Sequence, residues 1–172
     1  SSKYQATGVH SHDDGVMHWH PFTAAASGRN AKLSVFLDNY DITLTDTKLT
    51  FPEGQESGKV YEEGKTKCKD ADGKEVDGVL KTFVWPDSSN ADDFRVLAAN
   101  LDSVRITENG MAIVVAFVPE DVNSIPLPPT AAQLPTLGAA DSGQGAPTDT
   151  SATTIPGETI VAGETTVAGQ TT

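Results

Sequence analysis

Every histidine of the chain, His10, His12, His18 and His20, falls within eleven consecutive positions of the string VHSHDDGVMHWHP. They form two H-x-H pairs around Asp13-Asp14-Gly15. A neutral imidazole offers one nitrogen lone pair, and imidazole ligation suits Zn, Cu, Ni and Fe. The spacing adds geometry to that chemistry. In a β-strand, residues i and i+2 point to one face about 6–7 Å apart. Cross-strand partners in a hairpin have Cβ atoms about 4.5–5.5 Å apart. Two H-x-H strands joined by an Asp-Asp-Gly turn can therefore bring several ring nitrogens within reach of one ion.

Register decides the outcome. If residues whose numbers sum to 30 face each other, His12 opposes His18 and His10 opposes His20, with the loop 13–17 centred on Gly15. All four rings then share one face. Three or four of them can approach an ion at about 2.0–2.1 Å. Asp13 and Asp14 can add a carboxylate ligand or hold a histidine tautomer from outside the coordination sphere. A two-residue turn at Asp14-Gly15 shifts the sum to 29 and sends the two pairs to opposite faces. The sequence leaves both registers open. The leading expectation is a divalent transition metal, Zn or Cu, bound by His10, His12, His18 and His20 with Asp13 and Asp14. The alternatives are a structural or pH-responsive histidine face, because crowded imidazoles repel once protonated, and a small metallohydrolase.

Other chemistry has little support. His10-Ser11-His12 followed by Asp-Gly resembles the opening of the PHP phosphoesterase motif, but no histidine follows His20. No P-loop, G-x-G-x-x-G or EF-hand spacing occurs. Glu62-Glu63 and Asp92-Asp93 read as solvated turns, and Trp85 before Pro86 reads as core. Cys68 is the single cysteine, so an internal disulfide is excluded. It is a buried thiol or one whose partner lies outside this chain.

The elements that must position the histidines follow from periodicity. Short strands are expected at 9–12 and 16–20. Leu33, Phe36, Leu37 and Tyr40 fall at i, i+3, i+4, i+7 and predict a helix over 30–40, capped by Ser27 or Asn30. Strand pieces follow at Ile42 and Leu44 and at Leu49 and Phe51. Asp72-Gly73 marks one hairpin, and 79–85 reads as a strand ended by Pro86. Asn109-Gly110, between 101–107 and 111–118, is the strongest hairpin signal in the chain. The run MAIVVAFV (111–118) is apolar on both faces and predicts the central strand. The expected class is α+β, with one helix on a mostly antiparallel sheet and a β-grasp-like arrangement as the specific form.

The 172 residues carry 12 Lys+Arg against 24 Asp+Glu, a net charge of -12. That balance excludes a phosphate-neutralising surface and hence a nucleic-acid partner. No stretch of 18 apolar residues exists to span a bilayer. All basic residues lie at or before Arg105. From Ser124 onward the only charged residues are Asp141, Asp149, Glu158 and Glu164, in a background of Thr, Ala, Gly, Pro and Ser without aromatics. Such a segment buries too little apolar surface to offset its ordering entropy. The boundary is placed near Leu137: a domain over 1–137, with 125–137 as a Pro-rich strap, and a disordered tail over 138–172. The tail ends in three hexapeptides, IPGETI (155–160), VAGETT (161–166) and VAGQTT (167–172), which read as a Thr-rich stalk. The opening Ser1-Ser2, without Met, has the look of a processed or excised piece.

At VHSHDDGVMHWHPF, LSVFLDNYDITLTDTKLTFPEG and NGMAIVVAFVPED, the chain resembles a group of uncharacterised actinobacterial exported or membrane-anchored proteins. Their shared segment looks like H-x-H-x-D-G-x-[IM]-H-x-H-P followed by a small α+β domain. The resemblance spans about residues 8–135. It implies an extracytoplasmic location and domain limits rather than an activity. It also implies that a partner for Cys68 lies in a segment outside this chain. An envelope or surface protein is the macromolecular partner such a placement would supply.

Overall fold

The apolar run at 111–118 is the natural starting point, because a strand with two apolar faces must be covered on both. The computed structural model describes residues 2–12, 14–136 and 158–162. In it, β9 (Ala112–Pro119) is buried at every position but Val115. The preceding elements are α1 (Ser2–Thr7), β1 (Val9–His10), β2 (Val16–Trp19), α2 (Leu33–Asn39), β3 (Thr43–Leu44), β4 (Lys48–Thr50), β5 (Val60–Glu62), β6 (Lys67–Lys69), β7 (Glu75–Trp85) and β8 (Arg95–Leu97). β10 (Glu158–Ala162) follows. The fold is α+β. One sheet runs β1-β2-β10-β9-β7-β6 with β8 also on β7, and a second runs β3-β4-β5. All pairings are antiparallel except β9 with β10.

β7 and β9 are the spine, paired from Gly78↔Pro119 to Trp85↔Ala112. Gly78 is required there: a Cβ would lie 2.2 Å from the Phe117 ring. On the far edge of β7, β6 pairs at Lys67↔Asp77 and β8 at Thr82↔Leu97. In the interval, the Leu80 N–H donates to Glu63 Oε1 at 2.9 Å. Glu63 is thus a backbone partner rather than part of a merely solvated turn. Glu62 pairs with Lys48 and Lys65.

Two apolar clusters cover the sheet. One joins Val9, Met17 and Trp19 to Leu33, Leu37, Leu49, Leu80, Ile113 and Phe117. The other joins Val16, Phe83, Trp85, Val114 and Val118 to Leu134, with Val122, Ile125 and Leu127 packed against it. The segment after β9 is tied down by a buried lysine. Lys81 Nζ donates to Glu120 O (2.7 Å), Val122 O (2.8 Å) and Asn123 Oδ1 (3.0 Å). Three acceptors satisfy an ammonium that would otherwise be costly to bury.

The structure departs from the sequence expectations at three places. The helix starts at Leu33 with Lys32 as its N-cap, not at Ser27 or Asn30. Its leading N–H groups donate to Val104 O (2.8 Å) and Asp102 O (2.9 Å) instead of to a capping side chain. The 101–107 segment is consequently a loop, and Asn109-Gly110 does not close a hairpin. Leu101, Val104 and Ile106 are buried from this loop. Third, the tail supplies β10, paired antiparallel with β2 and parallel with β9. β2 and β9 each present an edge of backbone groups that a Thr-Ile-Val run can satisfy. The rest of the expected disordered tail, and the boundary at Leu137, lie outside the described residues.

Gly8 precedes β1 at φ +76°, and a Cβ there would stand 1.8 Å from the His20 carbonyl oxygen. Gly8→Ala should lower the unfolding free energy by about 2 kcal/mol or more in urea titrations. Cys68 is 5% exposed, and burial pushes its thiol pKa up. A thiol reagent should therefore label the native protein about tenfold or more slowly than the urea-unfolded chain.

Candidate metal centre

β1 and β2 form the antiparallel pair that carries the histidines. Val9 faces Trp19 and His10 faces His18. The ladder extends outward, with the His20 N–H donating to Gly8 O at 3.0 Å. Facing residues therefore sum to 28, two less than the expected register and one less than its rival. A two-residue shift preserves parity, so the histidines on the strands keep a common face. What changes is who meets whom. His10 is opposite His18, His20 lies beside Gly8, and His12 falls beyond the end of β1 in the turn. Asp13 lies outside the described residues.

The same alternation serves the core. Val9, Met17 and Trp19 enter the first apolar cluster, and the Trp19 indole N–H donates to Ala26 O at 2.8 Å. The histidine face is thereby fixed by burial of its opposite face. Two residues at the end of α2 set the local backbone. Asn39 Nδ2 donates to Val9 O and to Thr7 Oγ1, both at 2.8 Å. The Ser11 N–H donates to Tyr40 Oη at 2.7 Å. These bonds bracket His10 from both sides.

The donor atoms of His10, His12 and His18 all lie within 4.8 Å of one another, and together they could hold a metal ion. His10 Nε2 and His12 Nε2 are 3.2 Å apart. Two nitrogens of a tetrahedral site with bonds of about 2.0–2.1 Å stand about 3.3 Å apart, so this pair already has the required separation. The ring centroids of His12 and His18 are 4.8 Å apart and those of His10 and His18 5.2 Å. His18 is buried, His10 half-buried and His12 exposed, so His12 is the outermost member. His20 stands outside this group, its ring 5.8 Å from that of His10 and 6.5 Å from that of His18.

Asp14 also lies outside the triad but adjoins it. Its Oδ1 accepts the Val16 N–H at 2.9 Å, and its Oδ2 is 3.4 Å from His18 Nε2. Burial alone would raise its pKa. The Val16 hydrogen bond and the adjacent His18 outweigh that and leave it below the usual value. A carboxylate kept ionised beside the triad attracts a cation and can accept an imidazole N–H from outside the coordination sphere.

The neighbourhood includes residues that sequence periodicity did not mark as functional. A cavity of about 350 Å³ is lined by Tyr4, Val9, His10, His12, Asn39 and Tyr40. The Tyr4 ring packs edge-on to His10 at 4.9 Å. Tyr40 carried only an apolar-face signal at i+7 of the helix; nothing in its spacing pointed to Ser11, 29 positions earlier. Among the described residues, no helix is long and apolar enough to cross a membrane. Compared with known protein families, curated proteins and solved structures, the chain has no match.

Removing the Tyr40 hydroxyl tests the bracket around His10. Tyr40→Phe should cost about 1 kcal/mol of stability and raise the hydrogen-exchange rate of the Ser11 amide relative to amides in β7. Unchanged Ser11 exchange would show that the hydroxyl does not hold the turn.

Proposed function

We propose that this protein is a non-enzymatic, extracytoplasmic domain that binds one transition-metal ion, Zn²⁺ or Cu²⁺, through its histidine hairpin. The observation that carries the reading is the convergence of His10, His12 and His18 on one face, with donor atoms within 4.8 Å. Three neutral imidazoles match the preference of both ions. His10 and His18 are cross-strand partners, so two donors are positioned by the ladder before an ion arrives. Asp14, against His18, is the outer carboxylate that orients an imidazole ligand. His20 flanks the site and completes the histidine face without being needed for a three-donor centre. The extracytoplasmic placement rests on the resemblance at the histidine segment and on the Thr-rich tail.

Protein purified without a polyhistidine tag should hold close to one equivalent of Zn or Cu by elemental analysis. His12→Ala, at the exposed position, should weaken binding about 100-fold or more in competition with a chromophoric chelator. Asp14→Asn should weaken it by about 10- to 100-fold, and His20→Ala by only a few-fold. Absence of stoichiometric metal, or unchanged affinity in His12→Ala, refutes the reading.

A further inference from the structure

A three-imidazole centre leaves at least one coordination position for a ligand that the protein does not supply. The surroundings of the triad are unequal on its different sides. His18 is 2% exposed and Asp14 adjoins it. His10 and His12, in contrast, belong both to the triad and to the wall of the 350 Å³ cavity. We propose that the open position faces this cavity and accepts a small organic monocarboxylate with a flat apolar body, which makes the domain a metal-dependent carboxylate receptor. This rests on the metal-binding reading above.

Charge selects the donor. A divalent ion with three neutral imidazoles carries two positive charges. The nearest described carboxylate, Asp14, is engaged with Val16 and His18 and does not line the cavity. The centre therefore retains positive charge toward the cavity, and an anionic oxygen is the complementary donor. The walls select the body. Tyr4 and Tyr40 line the cavity with aromatic residues. The volume is at the lower end of small-ligand sites, which fits a molecule of benzoate size. The lining contains no Lys or Arg, and both amide hydrogens of Asn39 are committed to Thr7 and Val9, so no cationic side chain awaits a second carboxylate.

Cobalt substitution separates this proposal from the reading beneath it. Co²⁺ bound at the triad gives visible d–d absorption, and an added ligand changes that absorption. The metal-loaded protein should respond to benzoate with a dissociation constant about tenfold below that for acetate, the difference reporting burial of the ring. Tyr4→Leu should erase most of that preference; because Tyr4 also packs on His10, the readout is the ratio of benzoate to acetate affinity in the Co²⁺-loaded variant, which should fall towards one. Succinate should bind no more tightly than acetate. Co²⁺ bands that benzoate does not alter at about 50 mM overturn the proposal and leave metal binding intact. So does equal affinity for benzoate and acetate, or equal benzoate affinity in metal-free protein. Failure to develop Co²⁺ bands together with no bound Zn or Cu by elemental analysis overturns both readings together.

Discussion

The centre depends on one constraint, the antiparallel register that sets His10 opposite His18. A one-residue slip would turn His18 to the opposite face and expose Met17 and Trp19, both almost fully buried now. Burial of those apolar side chains is worth several kcal/mol, far more than any preference of the histidines themselves. The core thus enforces the face, and the face assembles the donors. Gly8 then selects among registers of equal parity. Its positive φ and its closeness to the His20 carbonyl bring the chain into β1 at one offset. The end of α2 fixes the same offset from the other side through Asn39 and Tyr40.

This hairpin is short, and two short strands are marginal alone. Its stability comes from the structure behind it. The long β7–β9 pairing, covered on both faces, supplies a spine whose polar interruptions are satisfied individually. Glu63 receives the Leu80 N–H between the ends of β6 and β8. Lys81 holds the segment after β9 with all three of its donors. Each arrangement lets an otherwise apolar sheet carry a charged residue in a place where that charge organises backbone.

Parity explains how much of this was legible in the sequence. Four histidines at even positions, alternating with Val, Met and Trp, declare a common face whatever the even register is. The class, the central strand at 111–118 and the Asp72-Gly73 hairpin follow from equally local signals. The offset did not, because Gly8, Asn39 and Tyr40 act through contacts to chain segments up to 32 residues away. Asn109-Gly110 misled for the converse reason. Gly110 does adopt positive φ, but the residues before it are held as a loop by the N-terminus of α2. A turn signal specifies a reversal; it does not specify that strands flank it.

His12 lies off the ladder, in the turn, while His10 and His18 are paired across it. An ion at this centre would therefore meet two donors of fixed separation and one on a short tether. The tethered ring is the donor whose rotation would open a coordination bond with the β1–β2 ladder intact. Loss of an ion from such a centre would begin at His12 and leave the ladder that sets His10 opposite His18 unchanged.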